Sequence, residues 1–175
     1  SGAELSPLSL PRIPDYAALI EPALLPLFVI KATMIRPLLT TDLDAAVELW
    51  YQASVQAHDF IPAAFWHEQR AAMRDIYLPA SKSWVYEEDG QLLGFISWYQ
   101  GSVAALFISP THQSHGLDRQ LLDHLKAQYD RLELTVYAEN EQARRFYSRN
   151  GFKEGEQQLC EHSGHPELVM HWQRG

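Results

Sequence analysis

The sequence predicts an α/β fold in which a central mixed β-sheet is flanked by about four helices. Segments of β-type composition alternate with segments that carry the 3.6-residue period of amphipathic helices, in the order β-α-α-β-β-β-α-β-α-β-β. An Asp-Gly pair at positions 89–90 separates two β-rich runs, which is typical of an antiparallel hairpin. A strand, a loop, a helix and a further strand between residues 102 and 137 form one right-handed crossover, which requires a parallel strand pair.

Length and composition indicate a single globular domain. The chain has 175 residues, of which 46% are hydrophobic and 21% charged, enough for one domain with a hydrophobic core. The formal net charge of −8 argues against a nucleic-acid partner, which requires clustered basic residues. The single cysteine, Cys160, excludes an internal disulfide framework and is typical of a reducing compartment, so we expect a cytoplasmic protein. We interpret Cys160 as a filler or strand cysteine, with a nucleophile as the alternative.

Residues 1–33 differ from the rest of the chain. They are apolar and rich in proline, and Glu21, Pro22 and Pro26 interrupt their apolar run, which is too short and too broken for a membrane span. The run also lacks the basic region that precedes a secretion signal. We therefore interpret residues 1–33 as an N-terminal extension or an expression-derived leader, and residues 34–175 as the domain. The alternative is a proline-rich arm that packs on the domain or on a partner chain.

The first half of the domain begins with a strand and two helices. Residues Met34–Leu39 form a short strand, and the helix that follows is capped by Thr41 and ends near His58. A second helix covers about Ala63 to Tyr77, and Pro79 is expected to stop it. The two strands of the hairpin lie within residues 83–101.

The second half contains the crossover and two closing strands. Residues 102–109 are almost continuously apolar, which predicts a strand buried on both faces. The next helix carries leucines at 117, 121, 122 and 125. A strand at residues 131–137 and a helix at residues 140–150 follow, with Asn140 as the N-cap. Residues 152–159 and 166–172 form the last two strands.

The stretch SPTHQSHGLDRQLLDHL, which starts at Ser109, turns from a polar loop into a helix directly after Gly116. A glycine-containing loop at the start of a helix offers backbone N–H groups and the positive end of the helix dipole to a phosphate. Asp118 stands at the same helix start, where its negative charge opposes an anion. The loop therefore predicts a phosphate site that Asp118 weakens.

Two blocks of the sequence carry a more specific pattern. In the loop, Gly116 follows Gln113 by three residues and Asp118 comes two residues later. The second block spaces its residues as Asn140, Ala143, Phe146-Tyr147 and Gly151-Phe152. With the order of elements, both blocks resemble the GNAT acetyltransferase superfamily over residues 34–172. That family's loop is written Gln/Arg-x-x-Gly-x-Gly/Ala, so Asp118 departs from it. The segment AHDFIP at residues 57–62 further resembles small single-domain bacterial members of the YiaC type, which are linked to protein-lysine acetylation.

The resemblance implies the GNAT acyl-CoA N-acyltransferase fold with acetyl-CoA as cosubstrate and without a metal. It implies that the backbone of the apolar strand pairs with the pantetheine arm, through Leu106, Phe107 and Ile108. It also implies that the loop amides hold the pyrophosphate, through Gln113, Ser114, His115, Gly116, Leu117, Asp118 and Arg119. Asn140 is implied as a contact of the pantetheine or as the residue that keeps two strands apart, and its alternative role is the helix cap alone.

The reaction implied is direct attack of a primary amine on the acetyl thioester. Tyr147 is expected to donate a proton to the departing sulfur, with a packed core tyrosine as the alternative. His58 is the first candidate for the base, because an imidazole titrates in the required range, and Glu133 acting through water is the second. The alternative for His58 is a histidine that merely ends its helix.

The acceptor class stays open between a protein lysine side chain, a protein N-terminus and a small amine. A different class of function is a non-catalytic acyl-CoA-binding or regulatory domain with a degraded pyrophosphate loop. We expect no nucleic acid, no membrane, and a monomer or homodimer. Arg119, Arg145 and Arg149 are within possible reach of the adenosine phosphates. A further group of residues is interpreted as surface histidines rather than metal ligands: His162, His165 and His171.

Overall fold

The computed structural model describes residues 33–175, so the segment interpreted as an extension lies, apart from Thr33, outside the described residues. The strands are β1 (Thr33–Pro37), β2 (Lys82–Glu88), β3 (Gln91–Tyr99), β4 (Ser102–Ile108), β5 (Arg131–Tyr137), β6 (Lys153–Leu159) and β7 (Pro166–Gln173). The α-helices are α1 (Leu43–Ala57), α2 (Ala63–Ala72), the single turn α3 (Leu78–Ala80), α4 (Leu117–Lys126) and α5 (Glu141–Arg149).

The seven strands form one sheet in the order β1-β2-β3-β4-β5-β7-β6. Strands β4 and β5 are parallel, and the other neighbours are antiparallel. The predicted mixed sheet flanked by helices is therefore confirmed. The predicted hairpin is confirmed as well, because Asp89 and Gly90 join β2 to β3 with φ values of 51° and 78°. Positive φ at both turn residues matches the right-handed twist of the paired strands.

The start of α1 corrects one expectation. Thr41 lies inside a 3₁₀ turn, Thr40–Asp42, and does not cap the helix. The carboxylate of Asp42 accepts a hydrogen bond from the N–H of Leu39 at 2.7 Å and thereby organises this turn. The same carboxylate pairs with Arg36 at 2.7 Å, which ties the helix start to β1. The helix ends as predicted, with His58 as its C-terminal cap residue.

The expected stop at Pro79 is also wrong. Helix α2 continues through a π-helical turn, Met73–Tyr77, into α3, and Pro79 lies within α3. Pro79 lies one residue before the end of this helical run, because Ser81 already has an extended backbone. The helical run therefore extends to Ala80.

The core lies on both faces of the sheet. On one face, α4 buries four leucines against β3, β4 and β5: Leu117, Leu121, Leu122 and Leu125. On the other face, α1 and α2 pack Trp50 and Trp66 against β2 and β3, where Phe95 is fully buried. Each such side chain stabilises the fold by about 1.5–3 kcal/mol. Among residues 33–175, no helix is long and apolar enough to cross a membrane.

Strand β4 is not buried on both faces, contrary to the prediction. Val103, Ala105 and Ile108 are buried, whereas Ala104 is exposed. The reason is the neighbour of β4. Strands β4 and β5 are paired only at Ser102 and Glu133, so the two strands diverge beyond that point. The apolar residues of β4 therefore line a cleft as well as packing in the core.

Candidate active site

The divergence of β4 and β5 opens a cavity of about 600 Å³. It is lined by both strands, by the loop before α4, and by residues at the end of α1 and in α5. In an open α/β sheet, ligands bind at the carboxyl ends of the strands where neighbouring strands separate. The cleft therefore lies where the sheet leaves backbone groups without a strand partner.

The edge of β4 that faces the cleft is suited to an extended ligand. The N–H of Ser109 donates to the carbonyl of Leu93 on β3 at 2.7 Å. Because backbone polar groups alternate sides along a strand, those of Leu106 and Ile108 point away from β3, towards the cleft. Phe107 faces β3 with its backbone, opposite Phe95, and contributes its side chain to the cavity lining. A linear amide can pair with this edge like an added strand.

The loop before α4 has the geometry of an anion site. Ser114 and Gly116 both have left-handed backbone conformations, with φ values of 66° and 76°. Such residues turn successive N–H groups towards one concave surface, and α4 begins directly after them. Gln113, Ser114, Leu117 and Asp118 line the cavity. The loop thus presents its amides and the positive end of α4 to the cleft.

Two of the predicted loop residues turn elsewhere. Nδ1 of His115 lies 3.1 Å from the carbonyl oxygen of His112, so this ring stabilises the loop itself. The guanidinium of Arg119 lies 3.7 Å from the carboxylate of Asp123 on an exposed part of α4. Arg145 is likewise paired with Glu141 at 2.8 Å. Of the three arginines considered for the adenosine phosphates, the one that lines the cavity is Arg149.

Asp118 occupies part of the anion site. Its Oδ1 accepts a hydrogen bond from the N–H of Arg119 at 2.7 Å, and its side chain lines the cavity. That N–H is one of the free donors at the start of a helix that a phosphate uses. The carboxylate therefore competes with an incoming phosphate both by charge and by its hydrogen bond.

Tyr147 lies between the anion loop and the far end of the cleft. The residue is 8% exposed and its ring packs against Phe146 and Phe152. Burial, and to a smaller extent the charge of Asp118, raise the pKa of Tyr147 above its ordinary value. The phenol is therefore protonated at neutral pH and able to donate a hydrogen bond or a proton into the cavity that it lines.

His58 and Asn140 meet at the far end. Nε2 of His58 lies 3.3 Å from Nδ2 of Asn140, while Oδ1 of Asn140 accepts the N–H of Ala143 at 3.1 Å. Asn140 therefore caps α5 as predicted, and the same side chain reaches His58. Burial lowers the pKa of His58, an effect that the backbone of Ser54 partly opposes. The imidazole is accordingly neutral at pH 7, with a lone pair at Nε2.

Aromatic rings surround His58. Its ring centroid lies 5.2 Å from that of Trp66 and 5.1 Å from that of Tyr137, and Phe60 and His165 extend the group. Burial, followed by a hydrogen bond with Cys160, raises the pKa of Tyr137 to about 12. We call the part of the cavity lined by His58, Trp66, Tyr137 and Glu167 the aromatic end of the cleft.

The second candidate base does not reach this cleft. Glu133 lies at the closed end of the β4–β5 pair, and its Oε2 is 3.4 Å from Nδ1 of His171. Both residues line a different cavity, of about 550 Å³, at that end of the sheet. Glu133 therefore lies outside the cleft that contains His58, contrary to the expectation that it acts on the acceptor there.

The cysteine and the histidines also have definite positions. Cys160 directly follows the end of β6 and is half-buried, and its Sγ lies 3.5 Å from the hydroxyl of Tyr137. His165 is 3.3 Å from Glu139. Within the described part of the chain, no three His, Cys, Asp or Glu side chains are grouped so that they could hold a metal ion.

Sequence reasoning missed Tyr137, Trp66 and Glu167 as residues of the cleft. Tyr137 was visible as the last residue of a predicted strand, which is where ligand contacts occur in such sheets. Glu167 gave no signal, because its approach to the cleft depends on the pairing of β7 with β5.

Comparison with known proteins identifies the family. The model of the protein family described as acetyltransferase (GNAT) domain matches residues 48–173 of this chain. The chain belongs to the GNAT acetyltransferase family. It is 34% identical over 140 residues to the peptidyl-lysine N-acetyltransferase YiaC of Escherichia coli K12, a match that covers 79% of this chain and 96% of that protein. The predicted resemblance to members of the YiaC type is thereby confirmed.

Solved structures of GNAT proteins share the fold. The solution structure of apo YjaB from Escherichia coli superposes with a TM-score of 0.73 at 27% identity, covering 82% of this chain and 99% of that one. The PaiA N-acetyltransferase of Thermoplasma acidophilum, crystallised with coenzyme A, superposes with a TM-score of 0.63 at 18% identity, covering 81% and 99%. These GNAT relatives are named as enzymes, and the comparisons give no support to the non-catalytic alternative.

Proposed function

We propose that this GNAT protein transfers the acetyl group of acetyl-CoA to a primary amine on a protein, a lysine side chain or an N-terminus. The observation that carries the proposal is the arrangement of one cleft: an anion loop at one end, Tyr147 in the middle and the aromatic end opposite. The names of YiaC and YjaB as peptidyl-lysine N-acetyltransferases favour lysine as the acceptor. We also propose that the protein works in the bacterial cytoplasm, as a monomer or homodimer.

The donor is proposed to lie along β4. The pantetheine arm pairs with the backbone of Leu106 and Ile108, and the pyrophosphate lies on the loop amides from Gln113 to Leu117. Asn140 can donate its second amide hydrogen to the arm, since the first is directed at His58. This arrangement brings the thioester to the middle of the cleft, next to Tyr147. Donor affinity is moderated by Asp118, whose carboxylate already uses the N–H of Arg119.

The proposed chemistry is a single acyl transfer. The neutral amine attacks the acetyl carbon, the carbonyl oxygen becomes an oxyanion, and a backbone N–H of β4 stabilises its charge. The carbon–sulfur bond then breaks, and Tyr147 donates a proton to the thiolate of coenzyme A. The amine proton passes to Nε2 of His58, which is neutral before the step because burial lowers its pKa. Exchange with solvent then removes this proton from His58 and restores the proton of Tyr147. Since Nε2 faces the Asn140 amide, this step requires that contact to give way to the acceptor.

Mass spectrometry tests the proposal directly. The protein is incubated with acetyl-CoA and a panel of lysine peptides, peptides with free N-termini, and small amines. We expect a mass increase of one acetyl group on peptide amines, together with release of free thiol in equal amount. Donor binding measured by calorimetry without any acetylated product, across the whole panel, would contradict the proposal and support the non-catalytic alternative.

A further inference from the structure

The two ends of the cleft each carry one acidic side chain. Within residues 33–175, the carboxylates that line the cavity are Asp118, at the anion loop, and Glu167, at the aromatic end. The role of Asp118 follows from the helix start that it occupies. The proposed function leaves Glu167, a half-buried carboxylate beside the aromatic rings of this end, without a role.

The sheet fixes the position of Glu167. It lies directly opposite Tyr137 in the antiparallel pairing of β5 with β7. Directly opposed residues have neighbouring β-carbons and project from the same face of the sheet. The carboxylate is therefore next to the Tyr137 ring, which in turn lies 5.1 Å from the ring of His58.

A neighbouring strand orients the carboxylate. Nε2 of Gln158 on β6 donates a hydrogen bond to Oε1 of Glu167 at 2.9 Å. An amide bound at one oxygen leaves the lone pairs of Oε2 for a further donor. Glu167 is thus held by a neutral group that does not cancel its charge. The carboxylate of Glu139 differs in its partner, because its Oε1 lies 3.3 Å from Nδ1 of an imidazole, that of His165.

An amine acceptor arrives at this end as a cation. The ordinary pKa of a lysine side chain is about 10.4, so the ammonium form predominates at neutral pH. An ammonium carries three donors and no acceptor, and it is attracted both to a carboxylate and to the face of an aromatic ring. The aromatic end provides a carboxylate together with the rings of Tyr137 and Trp66.

We propose that Glu167 binds the ammonium group of the acceptor and thereby selects cationic primary amines, with the Tyr137 ring beside the aliphatic part of the side chain. This inference rests on the proposed function and names the residue that recognises its acceptor. Binding precedes chemistry: Glu167 holds the ammonium, which then loses one proton to solvent water, and the neutral nitrogen is free to attack. The neutral amide of an already acetylated lysine lacks the positive charge and two of the three donors of the ammonium, so it binds this carboxylate more weakly.

The test compares Glu167→Gln with the matched control Glu139→Gln. Glu139 lies in the loop between β5 and α5 and does not line the cavity. Calorimetry with coenzyme A present measures the affinity of each protein for a lysine peptide and for the same peptide with acetylated lysine. We expect Glu167→Gln to weaken lysine-peptide binding about tenfold and to abolish the preference over the acetylated peptide. Glu139→Gln and the affinity for coenzyme A should not change, and Glu167→Asp should restore part of the preference.

Kinetics provide a second measurement. In steady-state measurements of acetyl transfer, the KM for the lysine peptide should rise about tenfold in Glu167→Gln, while the KM for acetyl-CoA stays constant. Equal lysine-peptide affinity in the wild type and Glu167→Gln overturns the inference, and so does an equal loss in both variants. The binding experiment separates this failure from that of the proposed function: lysine-selective binding that depends on Glu167 supports the inference even where no acetylated product forms.

Discussion

Nε2 of His58 lies 3.3 Å from Nδ2 of Asn140, a contact that joins the end of α1 to the start of α5 across 82 residues of sequence. The orientation of the Asn140 amide follows from its other contact, because Oδ1 must accept the N–H of Ala143. The amide nitrogen is then the donor and Nε2 the acceptor, which leaves the imidazole proton on Nδ1. One contact thus links the candidate base to the residue that caps α5.

We expect the stability of the protein to fall as the pH drops below about 6.5, the ordinary pKa of histidine. Burial lowers the pKa of His58, so between the two values the unfolded chain binds a proton that the folded chain does not. The free energy of unfolding should change by at most about 1.4 kcal/mol per pH unit through this group. Urea unfolding between pH 7.5 and pH 5 measures it. His58→Gln should flatten the curve, whereas His67→Gln, which alters an exposed histidine on α2, should leave it unchanged. An identical curve for His58→Gln would disprove this origin.

A second expectation concerns His58 in catalysis. If its Nε2 accepts the amine proton, kcat/KM should rise with pH along an acid limb whose midpoint lies below 6.5. His58→Gln should lower kcat/KM by about 100-fold and remove that limb, with donor affinity unchanged. His67→Gln again serves as the control. Retention of the acid limb in His58→Gln would assign the proton transfer to another group.

Tyr147→Phe should fold normally and bind acetyl-CoA with unchanged affinity, because the substitution removes only the hydroxyl. We expect kcat to fall by about 100-fold, since a positioned general acid contributes at least that factor. The measurement is initial-rate kinetics under conditions in which chemistry limits turnover. Tyr129→Phe is the matched control, because that ring stacks on Trp98 outside the cavity lining. Wild-type turnover in Tyr147→Phe would assign Tyr147 to packing alone.

Asp118→Gly should tighten acetyl-CoA binding by about tenfold, near 1.4 kcal/mol. The substitution removes a charge that opposes the pyrophosphate and frees the N–H of Arg119. A small loss of helix stability should accompany it, because an acidic residue in the first turn favours α4. Calorimetry at low and moderate salt is the measurement. Asp118→Asn separates charge from bulk, and Asp123→Asn, further along α4, is the control. Unchanged affinity at both salt concentrations would mean that the carboxylate does not oppose the phosphates.

Deletion of residues 1–32 should leave turnover and the melting temperature nearly unchanged. Within the described residues the first strand begins at Thr33, and every residue proposed for donor binding or chemistry follows it. The comparison is between full-length and shortened protein, by thermal unfolding and initial rates. A large loss of activity in a shortened protein that still folds would give the N-terminal segment a functional role.

The sequence by itself determined the kinds of elements and the backbone geometry of the loop before α4. The period of the leucines predicted α4, the Asp-Gly pair predicted the β2–β3 hairpin, and the loop with Gly116 predicted an anion site at a helix start. These features depend on neighbouring residues, whose spacing and backbone preferences act locally. The end of α2 and the start of α1 escaped prediction, because a π-helical turn continues α2 and the Asp42 carboxylate organises a 3₁₀ turn before α1.

Only the tertiary structure decided which side chains share the cleft. The divergence of β4 and β5 exposes Ala104 and opens the cavity, and no local pattern encodes where two strands separate. The same pairing geometry sends Glu133 to the closed end of the sheet and brings Glu167 beside Tyr137. Strands β5 and β7 are far apart in the chain, so no turn between them fixes their register, and the sequence alone does not place Glu167 opposite Tyr137.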